Sequence, residues 1–266
     1  MEREIKEKIL QIKNITMRYH TLKQETLAVQ NMNLDIYDKE FLSIVGPSGC
    51  GKSTILSIIS GLILPSLGEV IISDKYKRAN TTPIGYMLQS DYLFEWRNIE
   101  ENVLLGLEIK KLLSEENCKY ALNLLDKYGL GKFRKHLPSQ LSGGMRQKVA
   151  LIRTLAVKPQ ILLLDEPFSA LDYQTRITLS EEVRNIIKTE KKTAILVTHD
   201  ISEAVALSDR VAILSQRPSC IKKILDIDFK DKKLNTKEKR RHKKFDEYFD
   251  VIWSELNNDD EKNLRQ

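Results

Sequence analysis

The chain has 266 residues, 41% hydrophobic and 30% charged, enough apolar material for one large core, with or without an insertion, and too much for global disorder. No apolar run approaches the roughly 18 residues of a membrane helix, and the opening "MEREIKEKIL" alternates charges where a signal peptide would have an apolar core. Residues 230–244 hold nine Lys/Arg against two Asp/Glu, which exceeds the chain's whole net charge of +6, so the basicity is one patch and argues against nucleic acid as the partner.

In chain order, "LQIKNITMRY" and "NMNLDIY" alternate apolar and polar residues and predict half-buried antiparallel strands. "FLSIVG" is denser, as in a strand buried on both faces. It runs into a glycine loop and then "KSTILSIISGL", a helix stopped by Gly61 and Pro65. "PIGYML" predicts another short strand. From about Ile99 to Leu137 the pattern is helical, with Ser114 placed to cap "SEENCKYALNLLDKYGL". "QILLLDEP", "TAILVTHD" and "RVAILSQ" predict further strands, with a helix over "YQTRITLSEEVRNIIKTE". The expectation is a parallel β/α core with a helical insertion. Near the end, Phe245, Tyr248, Phe249, Ile252, Trp253 and Leu256 recur at helical spacing. That stripe predicts a helix packed on its own domain; the sharper alternative is a partner-binding helix with the Lys/Arg run near anionic lipid.

"GPSGCGKST" has a phosphate loop's residues in the order strand, loop, helix. Glycines let successive N–H groups turn inward around phosphate oxygens, and the helix N-terminus adds partial positive charge. Lys52 reaches the β- and γ-phosphates and the Ser53 hydroxyl ligates Mg²⁺. Cys50, inside the loop, is expected to have a lowered pKa beside the helix N-terminus and Lys52, so that a maleimide inactivates the protein and ATP protects it. With Cys118 and Cys220 it makes three scattered cysteines and no CxxC pair, which implies a reducing compartment.

"ILLLDEP" delivers Asp165 and Glu166 at the C-terminal end of a buried strand, where α/β sheets bind ligands. Asp165 suits Mg²⁺ and Glu166 suits a general base toward water. Gln89 and His199, each after a predicted strand, fit as γ-phosphate sensors. "LSGGMRQKVA" is a second glycine turn feeding a helix, without a lysine in the turn.

The order GPSGCGKST, Gln89, LSGG, ILLLDEP, SALD and His199 resembles the ATP-binding subunit of an ABC transporter over roughly residues 8–216. That resemblance implies a P-loop NTPase of the α/β class: a RecA-like parallel sheet core, an N-terminal antiparallel β subdomain and an inserted α-helical subdomain at about 92–155. The ATPase domain would span 8–230, and 231–266 would be a basic segment with an amphipathic helix. It implies Gly46, Pro47, Ser48, Gly49, Cys50, Gly51, Lys52, Ser53 and Thr54 as the Walker A loop, and Tyr19 as the aromatic stacked on adenine. Gln89 would be the Q-loop glutamine, Asp165 and Glu166 the Walker B pair, Asp172 the D-loop aspartate and His199 the switch histidine. Lys52, Gln89, Glu166 and His199 would be catalytic, and Ser53, Gln89 and Asp165 would serve Mg²⁺. Ser142, Gly143 and Gly144 would form the signature that caps ATP held by a second copy, in a head-to-tail dimer.

"YLFEWRNIEENV", "SALDYQTR" and "LSQRP" are similar to importer ATPases of the nitrate/sulfonate/taurine group and its pyrimidine-precursor relatives. This implies permease subunits, an outside substrate-binding protein reached indirectly, and a place on the cytoplasmic face of the membrane. Glu95 stands where the group has proline, Lys148 where it has arginine, and Met145 where Gln is frequent. Rivals are an exporter or iron–sulfur assembly ATPase and a nucleic-acid-associated ATPase using the basic tail. A DNA-repair type would need a long coiled coil between Lys52 and Asp165, and no sustained heptads lie there.

Overall fold

The computed structural model describes residues 7–20, 24–76, 83–231 and 234–263. The charge-alternating start, through residue 6, and Lys232 and Lys233 of the basic run lie outside the described residues. In chain order the elements are β1 (Lys8–His20), β2 (Glu25–Tyr37), β3 (Phe41–Val45), α1 (Lys52–Ile59), β4 (Leu67–Ile72), β5 (Ile84–Met87), α2 (Ile99–Ile109) and α3 (Glu115–Lys127). Then come α4 (Gly143–Ala156), β6 (Ile161–Asp165), α5 (Tyr173–Thr189), β7 (Thr193–Thr198), α6 (Ile201–Leu207), β8 (Arg210–Leu214), β9 (Ile221–Asp226), α7 (Thr236–Arg240) and α8 (Lys243–Asn263). The chain forms two compact units, Met1–Tyr76 with Lys191–Gln266, and Lys77–Glu190.

In the first unit, β1 pairs antiparallel with β2 and with β4. Its pairing with β2 shifts register between Ile12 and Ile15 and again around Met17. Asn14 and Asn31, which tolerate left-handed backbone better than most residues, take φ of 51° and 45° in these strands. A second sheet has β3 parallel to both β7 and β8, with β9 antiparallel to β8. Every residue of β3, β7 and β8 is buried, as expected of strands covered on both faces. The sheet is therefore mixed, with β9 its antiparallel member. β4 and β9 had no clear signal, because both are largely exposed or half-buried and lack clean alternation. Phe245 and Ile252 of α8 are buried in one cluster with Val45, Val205 and Ile213, and Tyr248, Phe249 and Leu256 pack against it. The apolar stripe thus faces its own unit, while Trp253 stays 54% exposed.

In the second unit, β5 runs parallel to the fully buried β6. Helix α2 opens with a capping box between Asn98 and Glu101, and Ser114 caps α3 by accepting from the Asn117 N–H. Glu190, just past α5, accepts from the Tyr128 hydroxyl at 2.6 Å and the Lys127 ammonium at 2.7 Å, which ties α3 down. Burial and that carboxylate push the Tyr120 phenol up to about 12. Among the described residues no helix is long and apolar enough to cross a membrane.

Candidate nucleotide-binding site

The phosphate loop leaves the buried end of β3 and turns through Gly49 (φ 71°) and Gly51 (φ 116°), a left-handed region where a side chain would be strained. Gly51 is also the N-cap of α1, so no cap side chain competes for the first-turn N–H groups, and that turn has no acidic residue. Those donors and the helix dipole make the turn receptive to an anion. Lys52 is 7% exposed, and its ammonium donates to the carbonyls of Gly46 and Pro47, both at 2.9 Å. The lysine is curled back over its own loop. Ser48 and Ser53 are exposed. Tyr19, at the end of β1, lies with its hydroxyl 3.2 Å from the Thr54 hydroxyl, its side chain partly open to solvent. His199 is exposed directly after β7; next to it Thr198 donates to Glu203 and Asp200 caps α6.

Cys50 corrects one expectation. It is 1% exposed, and a Cβ on Gly46 would lie 2.9 Å from its sulfur and 3.0 Å from Leu214 Cβ. The thiol is core, not rim. Burial raises its pKa above the usual value and outweighs the lowering charges of Lys52 and Arg217. Its thiolate fraction at neutral pH is therefore depressed. Maleimide treatment of the native protein should modify exposed Cys220 first and Cys50 last of the three, as read by peptide mass spectrometry. Equal rates at Cys50 and Cys220 would refute the buried placement.

In the second unit, Asp165 ends β6 at 9% exposure and accepts from the Tyr86 hydroxyl at 3.2 Å. Glu166 follows with φ 44°, an uncommon conformation for a side chain of this size and held by what surrounds it. Its carbonyl accepts from the Ser169 hydroxyl at 2.9 Å and the Ser169 N–H at 3.2 Å. Gln89, exposed after β5, donates to that same hydroxyl at 3.2 Å, and its carbonyl accepts from Gln147 at 3.3 Å. Gln89 and the Glu166 turn are thus joined through one serine. Arg146 holds the Asp91 carboxylate at 3.1 Å, and Arg153 donates to the Asp91 and Tyr92 carbonyls at 2.6 and 2.7 Å. Tyr86, Gln147 and Arg153 escaped the sequence reading, because their partners are far away in the chain.

Ser142 is the N-cap of α4, its hydroxyl accepting the Met145 N–H at 3.4 Å, and its side chain is exposed. Gly143 and Gly144 are close-packed: a Cβ would meet Leu171 at 3.3 Å and Thr175 at 3.1 Å. Asp172 caps α5, and its hydrogen bonds with Thr175 hold the carboxyl below its usual pKa.

The ABC transporter family pattern matches residues 29–169. The uncharacterised ABC transporter ATP-binding protein YtlC of Bacillus subtilis is 48% identical over 93% of this chain and 95% of its own. The chain belongs to the ABC transporter ATP-binding family. This ABC ATPase is also 36% identical to the taurine import ATP-binding protein TauB of Roseobacter denitrificans, over 92% of this chain and 94% of that one. The solved post-hydrolysis dimer of the ATP-binding cassette MJ0796, bound to ADP and Pi, matches it with a TM-score of 0.68 at 33% identity, covering 82% of this chain and 99% of that one. The chain is an ATP-binding and ATP-hydrolysing subunit of an ABC transporter.

Proposed function

We propose that this subunit powers an importer for a small solute of the nitrate, sulfonate or taurine kind, or a pyrimidine-type precursor, from the cytoplasmic face of the membrane. The observation that carries the membrane partnership is an aromatic platform next to Gln89. Tyr92 is 61% and Trp96 75% exposed, and Phe94 stacks on Trp96 at 4.7 Å. Their backbone is nevertheless rigid. Asn102, fully buried, donates to the carbonyls of Phe94, Arg97 and Asn98 and accepts the Phe94 N–H at 2.7 Å. Large aromatics displayed on fixed backbone suit a protein partner better than solvent, and the likeness to TauB favours an import permease as that partner.

In this reading the loop N–H groups and Lys52 bind the phosphates, Tyr19 stacks on adenine, and Glu166 orients water for in-line attack while His199 steadies the γ-phosphate. The donors assigned to Mg²⁺ are all oxygen (Ser53 hydroxyl, Gln89 amide, Asp165 carboxylate), few enough that phosphates and water complete the shell this hard cation prefers. These residues would hold Mg²⁺, which would supply charge neutralisation to the phosphates. Ser142, Gly143 and Gly144 cap the γ-phosphate held by a second copy, with Asp172 alongside. Closure of two copies over two ATP drives the permease, and hydrolysis resets it. Gln89 carries the signal: its side chain reaches the Glu166 turn through Ser169, and its segment runs on, tied by Gln147, Arg146 and Arg153, to Trp96. The ATPase domain is assigned to 8–230, with helical subdomain at about 92–155 and the remainder, 231–266, as an appended segment.

A Trp96→Asp variant should bind ATP as the parent does and fail to co-purify with integral membrane subunits from solubilised membranes. Wild-type recovery of those subunits would sink the docking role. Cargo is read from the complex's binding protein, whose melting temperature should rise with a sulfonate, nitrate or pyrimidine precursor.

A further inference from the structure

The hairpin turn between β8 and β9 touches the phosphate loop. Its Ser219 is anchored on β2: the Ser219 N–H donates to the Ala28 carbonyl at 3.0 Å, and the Gln30 N–H donates to the Ser219 carbonyl at 2.9 Å. The Ser219 hydroxyl also lies where a Cβ on Gly51 would approach, at 3.4 Å. From this anchored turn the exposed Arg217 donates its guanidinium to the carbonyl of Gly49 at 2.6 Å.

That carbonyl belongs to the peptide joining Gly49 to Cys50. A peptide is planar, so its C=O and N–H point in opposite directions. Here both ends are held: the carbonyl by Arg217, and the Cys50 N–H by the Pro47 carbonyl at 3.3 Å. Pro47 also takes one of the Lys52 hydrogen bonds. On one side this peptide turns about the Cα–C bond of Gly49, which has φ 71° and no Cβ, so its rotation is less restricted there than beside any other residue. A rotated peptide would turn a carbonyl dipole toward the inside of the loop, where anion binding needs N–H groups. A charge-assisted hydrogen bond from outside opposes that rotation.

We infer that Arg217 is a positioning residue that holds the Gly49–Cys50 peptide in the anion-receptive orientation and thereby sets the loop's affinity for the nucleotide phosphates. The inference rests on the phosphate-loop reading above. Arg217 acts on backbone rather than on the reacting atoms, so its loss weakens binding and leaves the chemical step alone.

The test compares Arg217→Met, which keeps an apolar stem, with Arg217→Lys, which keeps a donor. With Mg²⁺ and ATP, Arg217→Met should raise Kd and KM about fivefold, the scale of one exposed charge-assisted hydrogen bond. Its kcat should stay within about twofold and its melting temperature should not move, while Arg217→Lys recovers most of the affinity. Unchanged KM in Arg217→Met overturns the inference. So does a loss shared equally by the lysine variant, or one that tracks a lowered melting temperature. Wild-type protein that fails to bind ATP, or a Lys52→Ala variant that binds it normally, would sink the phosphate-loop reading itself. ATP binding by wild type and its loss in Lys52→Ala, with Arg217→Met indistinguishable from wild type, removes only the role of Arg217.

Discussion

A Glu166→Gln variant should bind ATP as the parent does, hydrolyse it about 10²–10⁴-fold more slowly, and accumulate as a closed dimer when ATP is added. Glutamine keeps the shape and length of glutamate and removes only its capacity to take a proton from water. The backbone at this position is held by hydrogen bonds to its own carbonyl. Its φ of 44° is held by the Ser169 hydroxyl and N–H on the Glu166 carbonyl, and by the buried β6 strand before it. The substitution therefore leaves the turn, the Gln89–Ser169 contact and the phosphate loop in place. Single-turnover hydrolysis measures the chemical loss, nucleotide titration shows that binding persists, and light scattering reports the dimer. Undiminished turnover would remove Glu166 from the role of general base. Failure to bind ATP would mean that its carboxylate serves the nucleotide's ground state instead.

Strands β3, β6, β7 and β8 could be read from sequence because each is buried on both faces and therefore reads as a dense apolar run. The glycine turn before α1 and the place of Asp165 and Glu166 at a strand end could be read because their signals are local: glycines, lysine and hydroxyl in one stretch, two carboxylates after one apolar run. What escaped was decided by distance. Cys50 is buried at Gly46, a position that Leu214, more than 160 residues later, also crowds, and local electrostatics alone pointed the wrong way. Arg217 sits in "LSQRP", where proline marks a turn but nothing marks what the turn touches. β9 has weak burial contrast along its length, so periodicity had little to act on. The apolar stripe of α8 was visible, whereas its packing partners Val45, Val205 and Ile213 come from elements that no local pattern links to it.

Neither Ser142→Arg nor Lys52→Ala should sustain turnover alone, and mixing the two should restore about a quarter of wild-type turnover if copies exchange freely and the two sites act independently. Ser142 caps α4 with its side chain in solvent, and the N-terminus of α4 supplies backbone donors with no acidic residue in the first turn. In the proposed reading that is half of an anion site. The other half is the loop before α1 together with Lys52, the first residue of that helix. In a head-to-tail dimer each site takes its loop from one copy and its signature from the other. A mixed dimer then has one site with both defects and one with neither. Random exchange makes about half of the dimers mixed, each with one of two sites intact, which yields the quarter. Arginine at 142 places a bulky cation on the exposed cap and leaves the Lys52 loop of its own copy untouched, so Ser142→Arg alone should still bind ATP. Full activity of Ser142→Arg by itself would show that the signature turn does not face nucleotide. If both variants are inactive alone and the mixture stays inactive although exchange is demonstrated by labelled subunits, the sites do not fire independently, and closure requires both to be intact.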